Sequence, residues 1–148
     1  MKKLLNLSYP LPVVLLGWMT CLPHASVAQS DQELIINLTS DATANAHSTL
    51  MGLHLGQTAL KNDIPVTVFL NVDGVKLMTP GSDTLSFEDE NLHQVLKDIT
   101  KAGGTVIACP HCLKTHQLSE DDLMEGVRLS DEKLLLDKIK QSPTVFTY

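Results

Sequence analysis

Gly104-Thr105-Val106-Ile107-Ala108-Cys109-Pro110-His111-Cys112 is the stretch on which the reading of this chain turns. A β-branched apolar run behind paired glycines describes a short core strand. Pro110 suits the first residue of a helix, because its missing N–H would be an orphan there and its φ is already helical. Cys109 is then the N-cap and Cys112 falls in the first turn. Free N–H groups and the positive end of the helix dipole are expected to lower the pKa of a thiol in that turn. A buried strand that ends in a paired-thiol turn presents a reactive sulfur, so sulfur chemistry is the first functional expectation.

The flanking sequence places that turn in an α/β domain. Leu34-Ile35-Ile36-Asn37-Leu38 reads as a first buried strand. Helical spacing of apolar residues follows over residues 42–61, with Ser40 or Asp41 as N-cap and Asn62 as a left-handed cap. Residues 65–70 form a second strand, parallel to the first because a crossover helix intervenes. Residues 71–87 read as a surface loop with a single helical turn. A second helix is expected over residues 88–102, opened by the acidic run Glu88-Asp89-Glu90, with Leu92, Val95, Leu96 and Ile99 on one face. Beyond the thiol turn come an acidic helical turn from Ser119 closed by Gly126 and a short strand over Val127, Arg128 and Leu129. A last helix over residues 130–140 and a terminal strand over residues 144–148 complete the chain. Alternating strands and helices predict a mainly parallel sheet with helices on both faces. Ligands in such folds bind beyond the carboxyl ends of the strands, where Asn37 to Asp41, Asn71 and Cys109 should project.

Residues 1–28 have the form of a cleaved signal peptide. Lys2 and Lys3 precede an apolar centre at residues 13–19, and Ser26-Val27-Ala28 offers the small residues that a signal peptidase reads. The apolar run is short and follows Pro10 and Pro12, which argues against a stable membrane anchor. The expectation is a periplasmic protein comprising residues 29–148, one domain in length. The first 28 residues hold two lysines and no acid, so residues 29–148 carry 9 basic against 17 acidic side chains. That balance excludes nucleic acid and anionic membrane surfaces as natural partners. Cys21 is discarded with the signal, which leaves Cys109 and Cys112. Two thiols three residues apart do not build a disulfide framework between distant loops.

Residues 106–114, continuing through Leu118-Ser119-Glu120-Asp121-Asp122-Leu123-Met124-Glu125-Gly126-Val127, resemble the DsrE/DsrF-like sulfur-transfer family. Upstream, residues 41–59 and the run Val66 to Val75 look like that family's opening helix and second strand. The resemblance implies a single three-layer α/β/α domain that assembles into homo-oligomers, trimers or hexamers. It also implies that Cys109 takes up sulfane sulfur as a persulfide and hands it on, exchanging it with donor and acceptor proteins or with small sulfane-sulfur compounds. Cys112 matches a second cysteine found in some members. This sequence has Gln117 where many relatives have glycine, and it carries an export signal where relay members are mostly cytoplasmic.

The residues support that chemistry on their own terms. A persulfide requires a thiolate nucleophile, and Cys109 can accept N–H bonds from the helix start. His111 and His116 lie close enough in sequence to donate to that thiolate or to move a proton. Cys112 is suited to resolving a persulfide or sulfenate on Cys109 through a disulfide. No cofactor and no resident metal are assigned. Two rival readings use the same residues. Cys109, Cys112, His111 and His116 put two thiolates and two imidazoles within eight residues, the donor set of a copper- or zinc-binding module. The pair could also serve a thiol-disulfide oxidoreductase. A thioredoxin fold is disfavoured, because it carries its dithiol early and here only 36 residues follow Cys112. His47 and His54 share a helical face and read as surface or satisfied histidines, and His93 reads as exposed.

Overall fold

The computed structural model describes residues 32–148; the expected signal peptide lies outside the described residues. The chain runs β1 (Leu34–Leu38), α1 (Ala46–Leu60), β2 (Val66–Leu70), β3 (Ser86–Phe87), β4 (Glu90–Asn91), α2 (Leu92–Lys101), β5 (Thr105–Ala108), α3 (Pro110–Thr115), β6 (Val127–Leu129), α4 (Glu132–Lys140) and β7 (Thr144–Thr147). Five strands form one sheet in the order β6-β5-β2-β1-β7, every pair parallel. β3 and β4 make a separate two-residue hairpin. The expected α/β fold with a mainly parallel sheet is the observed one.

The two faces of the sheet are covered unequally. Ile36, Leu38, Val68, Leu70, Val106 and Ala108 are buried and belong to the main core, together with Leu50 and Leu53 of α1 and Leu92, Leu96 and Ile99 of α2. Each such Leu or Ile contributes roughly 1.5–3 kcal/mol when fully buried, so this layer anchors the domain. On the opposite face α4 has no fully buried residue. It is tied down by Lys138, whose ammonium lies 2.6 Å from Glu33 Oε1, the same oxygen to which Thr67 donates at 2.5 Å.

Several local details differ from expectation. α1 starts at Asn45, whose side chain accepts the Ser48 N–H, and not at Ser40 or Asp41. Asp41 makes its own turn first, accepting the Thr43 N–H and hydroxyl. The left-handed residue after α1 is Asp63 (φ 59°), not Asn62, with the Ile64 N–H closing onto Ala59. The acidic run does not open α2. Glu88 (φ 53°) turns the β3–β4 hairpin and Asn91 caps the helix by accepting the Gln94 N–H.

The largest departure is the supposed surface loop. Residues Val72–Met78 form a 3-10 helix in which Gly74, Val75, Leu77 and Met78 are buried, and Ser82–Thr84 form another. A Cβ on Gly74 would stand 2.1 Å from the Leu38 carbonyl oxygen, so this segment lies directly against the end of β1. His93 is drawn into the same packing and is not exposed: its Nε2 is 2.6 Å from the Leu77 carbonyl and 2.9 Å from the Ser82 hydroxyl. His47 and His54 hold the hairpin, one stacked on Phe87 at 4.5 Å and the other 2.9 Å from Glu90.

Candidate functional site

The carboxyl ends of β1, β2 and β5 bring Asn37, Asn71 and Cys109 to one edge of the sheet. The Asn71 N–H closes onto Leu38 O at 2.9 Å and the Cys109 N–H onto Leu70 O at 3.0 Å, so the strand ladder sets the position of both. Cys109 caps α3 with Pro110 at its first position, as the sequence indicates. The Cys109 sulfur accepts the Cys112 N–H at 3.3 Å. Both cysteines are free thiols, partly buried.

Cys112 has a different environment. Its sulfur accepts the Val72 N–H at 3.2 Å and donates its own proton to Asn71 Oδ1 at 3.3 Å. The 3-10 segment therefore forms the opposite wall of the thiol turn. A cavity of about 280 Å³ between the sheet and α4 has Asn37 and Asn71 in its lining, with Phe69, Ile107 and Ile139 as apolar walls. A larger cavity, about 330 Å³, is lined by residues at the other end of β1 such as Leu34 and Ile64 and by none of the thiol-site residues.

Comparison with known proteins agrees with this geometry. The model of the DsrE/DsrF-like family matches residues 33–148, nearly all of the described chain. The chain belongs to the DsrE/DsrF-like family. An uncharacterized protein of Methanopyrus kandleri, MK0008, is 31% identical over 116 residues, which are 78% of this chain and 94% of that protein. MJ0989 of Methanocaldococcus jannaschii, also uncharacterized, is 29% identical over 111 residues, 75% of this chain and 96% of its own. Among solved structures, the ychN protein from E. coli superposes with a TM-score of 0.60 at 21% identity, covering 79% of this chain and 99% of its own. MTH1491 from Methanobacterium thermoautotrophicum gives 0.61 at 14% identity, with 79% and 99% covered. These two likenesses establish the shared fold.

In this DsrE/DsrF-like domain the expected lowering of a first-turn thiol fails at Cys112. Its pKa is raised, first by burial and then by the neighbouring Cys109 sulfur, with the Val72 N–H opposing. α3 is only six residues long, so its dipole is small and desolvation outweighs it.

The histidines separate. His116 Nε2 lies 3.2 Å from Asp73 Oδ1, and Asp73 is also 3.2 Å from Lys76, which reaches Asp41 at 2.8 Å. This chain of polar contacts fastens the end of α3 to the 3-10 segment and to the start of the β1–α1 loop. Lys76 and Thr43 hold the Asp41 carboxyl down at about 2. His111 is exposed on α3. Among the described residues no group of three or more His, Cys, Asp or Glu side chains is arranged to hold a metal ion.

The N-cap position of Cys109, the first-turn position of Cys112 and the place of Asn71 at the strand edge are as the sequence indicates. The sequence does not indicate that Asn71 and Val72 touch the second sulfur, nor that Asp73 is the partner of His116. The available signal was Gly74-Val75 with Leu77-Met78, a glycine and three apolar residues within five positions, too apolar for a plain surface loop.

Proposed function

We propose that this protein is an exported, periplasmic sulfur carrier that holds sulfane sulfur as a persulfide on Cys109. The observation that carries the reading is the asymmetry of the two thiols. Cys109 caps α3 at the end of β5 and only accepts from the Cys112 N–H, whereas the Cys112 proton is engaged by Asn71. Membership of the DsrE/DsrF-like family, linked to sulfur relay, supports the same chemistry.

The loading step follows from that arrangement. The Cys109 thiolate attacks the outer sulfur of a donor persulfide, R–S–SH. The donor S–S bond breaks, a new S–S bond forms on Cys109, and the R–S⁻ thiolate leaves and takes up a proton. The transferred sulfur stays zero-valent, so loading needs no oxidant. An acceptor nucleophile removes it by the same substitution. His116 and Asp73 fix the end of α3, and His111 is exposed to donor and acceptor. The carrier works as a homo-oligomer whose subunits cover the apolar surface that α4 shares with one face of β7, where Leu136, Ile139 and Val145 are exposed.

Intact-mass spectrometry of protein from periplasmic extract, before and after exposure to inorganic polysulfide and then reductant, tests the reading. The expected result is loss of the first 28 residues and a gain of one sulfur, removed by reductant and absent in Cys109→Ser. Fully reduced protein that gains no sulfur overturns the carrier role. A metal adduct under native conditions, lost in either Cys→Ser variant, would establish the metal-module reading instead.

A further inference from the structure

We infer that Asn71 is a positioning residue that adds to burial in holding the proton on Cys112, and so slows Cys112 in discharging the persulfide on Cys109 as sulfide. The inference rests on the persulfide reading of Cys109 and adds a safeguard to it.

The amide of Asn71 is oriented by a row of hydrogen bonds along the strand ends. Asn37 Nδ2 donates to Thr147 Oγ1 at 3.3 Å, which turns Asn37 Oδ1 toward Asn71. Asn71 Nδ2 donates to that oxygen at 3.4 Å. Asn71 Oδ1 is thereby left facing Cys112, where it accepts the S–H at 3.3 Å. An acceptor in this position favours the neutral thiol over the thiolate. The Val72 N–H, the donor that would favour the thiolate, is shared with the same Asn71 oxygen at 3.0 Å. The titratable and charged groups on the two elements that meet at this sulfur are few. Cys109, His111, Lys114 and His116 lie on or beside α3, and Asp73 and Lys76 lie on the 3-10 segment. Asp73, Lys76 and His116 are engaged with one another.

The reaction held in check is balanced within the protein. A Cys112 thiolate attacking the inner sulfur of Cys109–S–SH forms the Cys109–Cys112 disulfide and breaks the bond to the outer sulfur. HS⁻ leaves: the zero-valent sulfur is reduced to sulfide while the two cysteines are oxidised to the disulfide. The step requires Cys112 without its proton, and a carrier that performed it would deliver nothing.

The test compares full-length mature protein with Asn71→Ala, Asn71→Asp and Cys112→Ser. Each is loaded with inorganic polysulfide, desalted, and followed for sulfide released per loaded chain. In parallel, the pH profile of Cys112 alkylation is read by peptide mass spectrometry. Asn71→Ala should release sulfide roughly three- to tenfold faster at pH 7, the thiolate gain from losing one hydrogen bond to the neutral thiol. Its alkylation profile should move to lower pH. Asn71→Asp, which retains the acceptor and adds a negative charge, should move the profile to higher pH and release more slowly. Cys112→Ser should release none by this route. A merely structural role for Asn71 would shift Ala and Asp in the same direction, and that result overturns the inference. Equal release from loaded wild type and Asn71→Ala also overturns it, while leaving the carrier reading intact. Failure of the wild type to load overturns both.

Discussion

The backbone N–H of Val72 lies 3.2 Å from the Cys112 sulfur, across 40 residues of sequence. To deliver that N–H, Val72 adopts φ 50°. The left-handed region is costly for a β-branched side chain, and its cost persists only where surrounding structure enforces it. Val72 gains little burial in return, since it is 51% exposed. Val72→Gly removes the steric conflict and keeps the N–H, so it should stabilise the domain by about 1 kcal/mol. Urea denaturation checks the magnitude. A loss of stability would mean that the side chain has a packing role that its exposure does not show.

Gln117 raises the same question at the other end of the thiol helix. It sits at φ 59°, with its N–H on the Lys114 carbonyl and the Leu118 N–H on the Leu113 carbonyl. That pairing is the Schellman closure, which favours glycine at the left-handed position. The turn is therefore built without the glycine that this closure favours, at a cost in strain. Gln117→Gly should raise the midpoint of thermal unfolding, corresponding to about 1 kcal/mol. The sulfur uptake proposed for Cys109 should be unchanged, because α3 and its cap remain as they are. An equal or lower midpoint would show that the Gln117 side chain compensates for its backbone.

The layer order and the thiol turn were legible for physical reasons, and so was the misreading of the stretch after Asn71. β1, β2 and β5 are short apolar runs bounded by breakers, and strand spacing plus crossover handedness leave few ways to pair them. Cys109-Pro110 states its own geometry, because proline at the first helical position is a local rule. Residues 71–87 obey no period. Their conformation is set by contacts made elsewhere, with Gly74 against the Leu38 carbonyl and Ser82 and His93 on Leu77. A 3-10 helix held by tertiary contacts leaves no repeat to detect, so the wall that faces Cys112 stayed hidden while both cysteines were plain. Glu88-Asp89-Glu90 misled for a related reason: acids favour a helix start, yet Asn91 was the better cap and the acids were left to the hairpin.

The charge chain that ends on Asp41 makes stability depend on acid. The Asp41 carboxyl is lowered from an ordinary 3.8 to about 2, mainly by its hydrogen bond to Lys76 and then by that to Thr43. A depressed carboxyl pKa adds stability that is present above the unfolded value and lost as pH falls through the folded one. Asp41→Asn should therefore cost about 1 kcal/mol at pH 7, discounted for the solvent that screens a partly exposed pair. The difference from wild type should persist down to about pH 4 and vanish as pH approaches 2. Urea denaturation across that range reads it directly. A difference that grew on acidification would assign the wrong sign to the pair.

The thinly covered side of the sheet exposes apolar surface at its β7 edge. β7 is an edge strand in which no residue is buried, and α4 beside it buries none completely. Val145 is 54% exposed and Ile139 is 64% exposed, which for a single subunit leaves an apolar edge open to pairing. In the homo-oligomer proposed above, the same patch on each subunit would remove its apolar surface from water and its unpaired strand edge from competitors. Val145→Glu and Ile139→Glu should each shift the protein toward the monomer in light scattering after size exclusion. Because neither side chain is part of the buried core, the far-ultraviolet circular dichroism of each variant should stay that of the wild type. Wild-type protein that runs as a monomer at every concentration would refute this assembly, and variants that stay oligomeric would place the interface elsewhere.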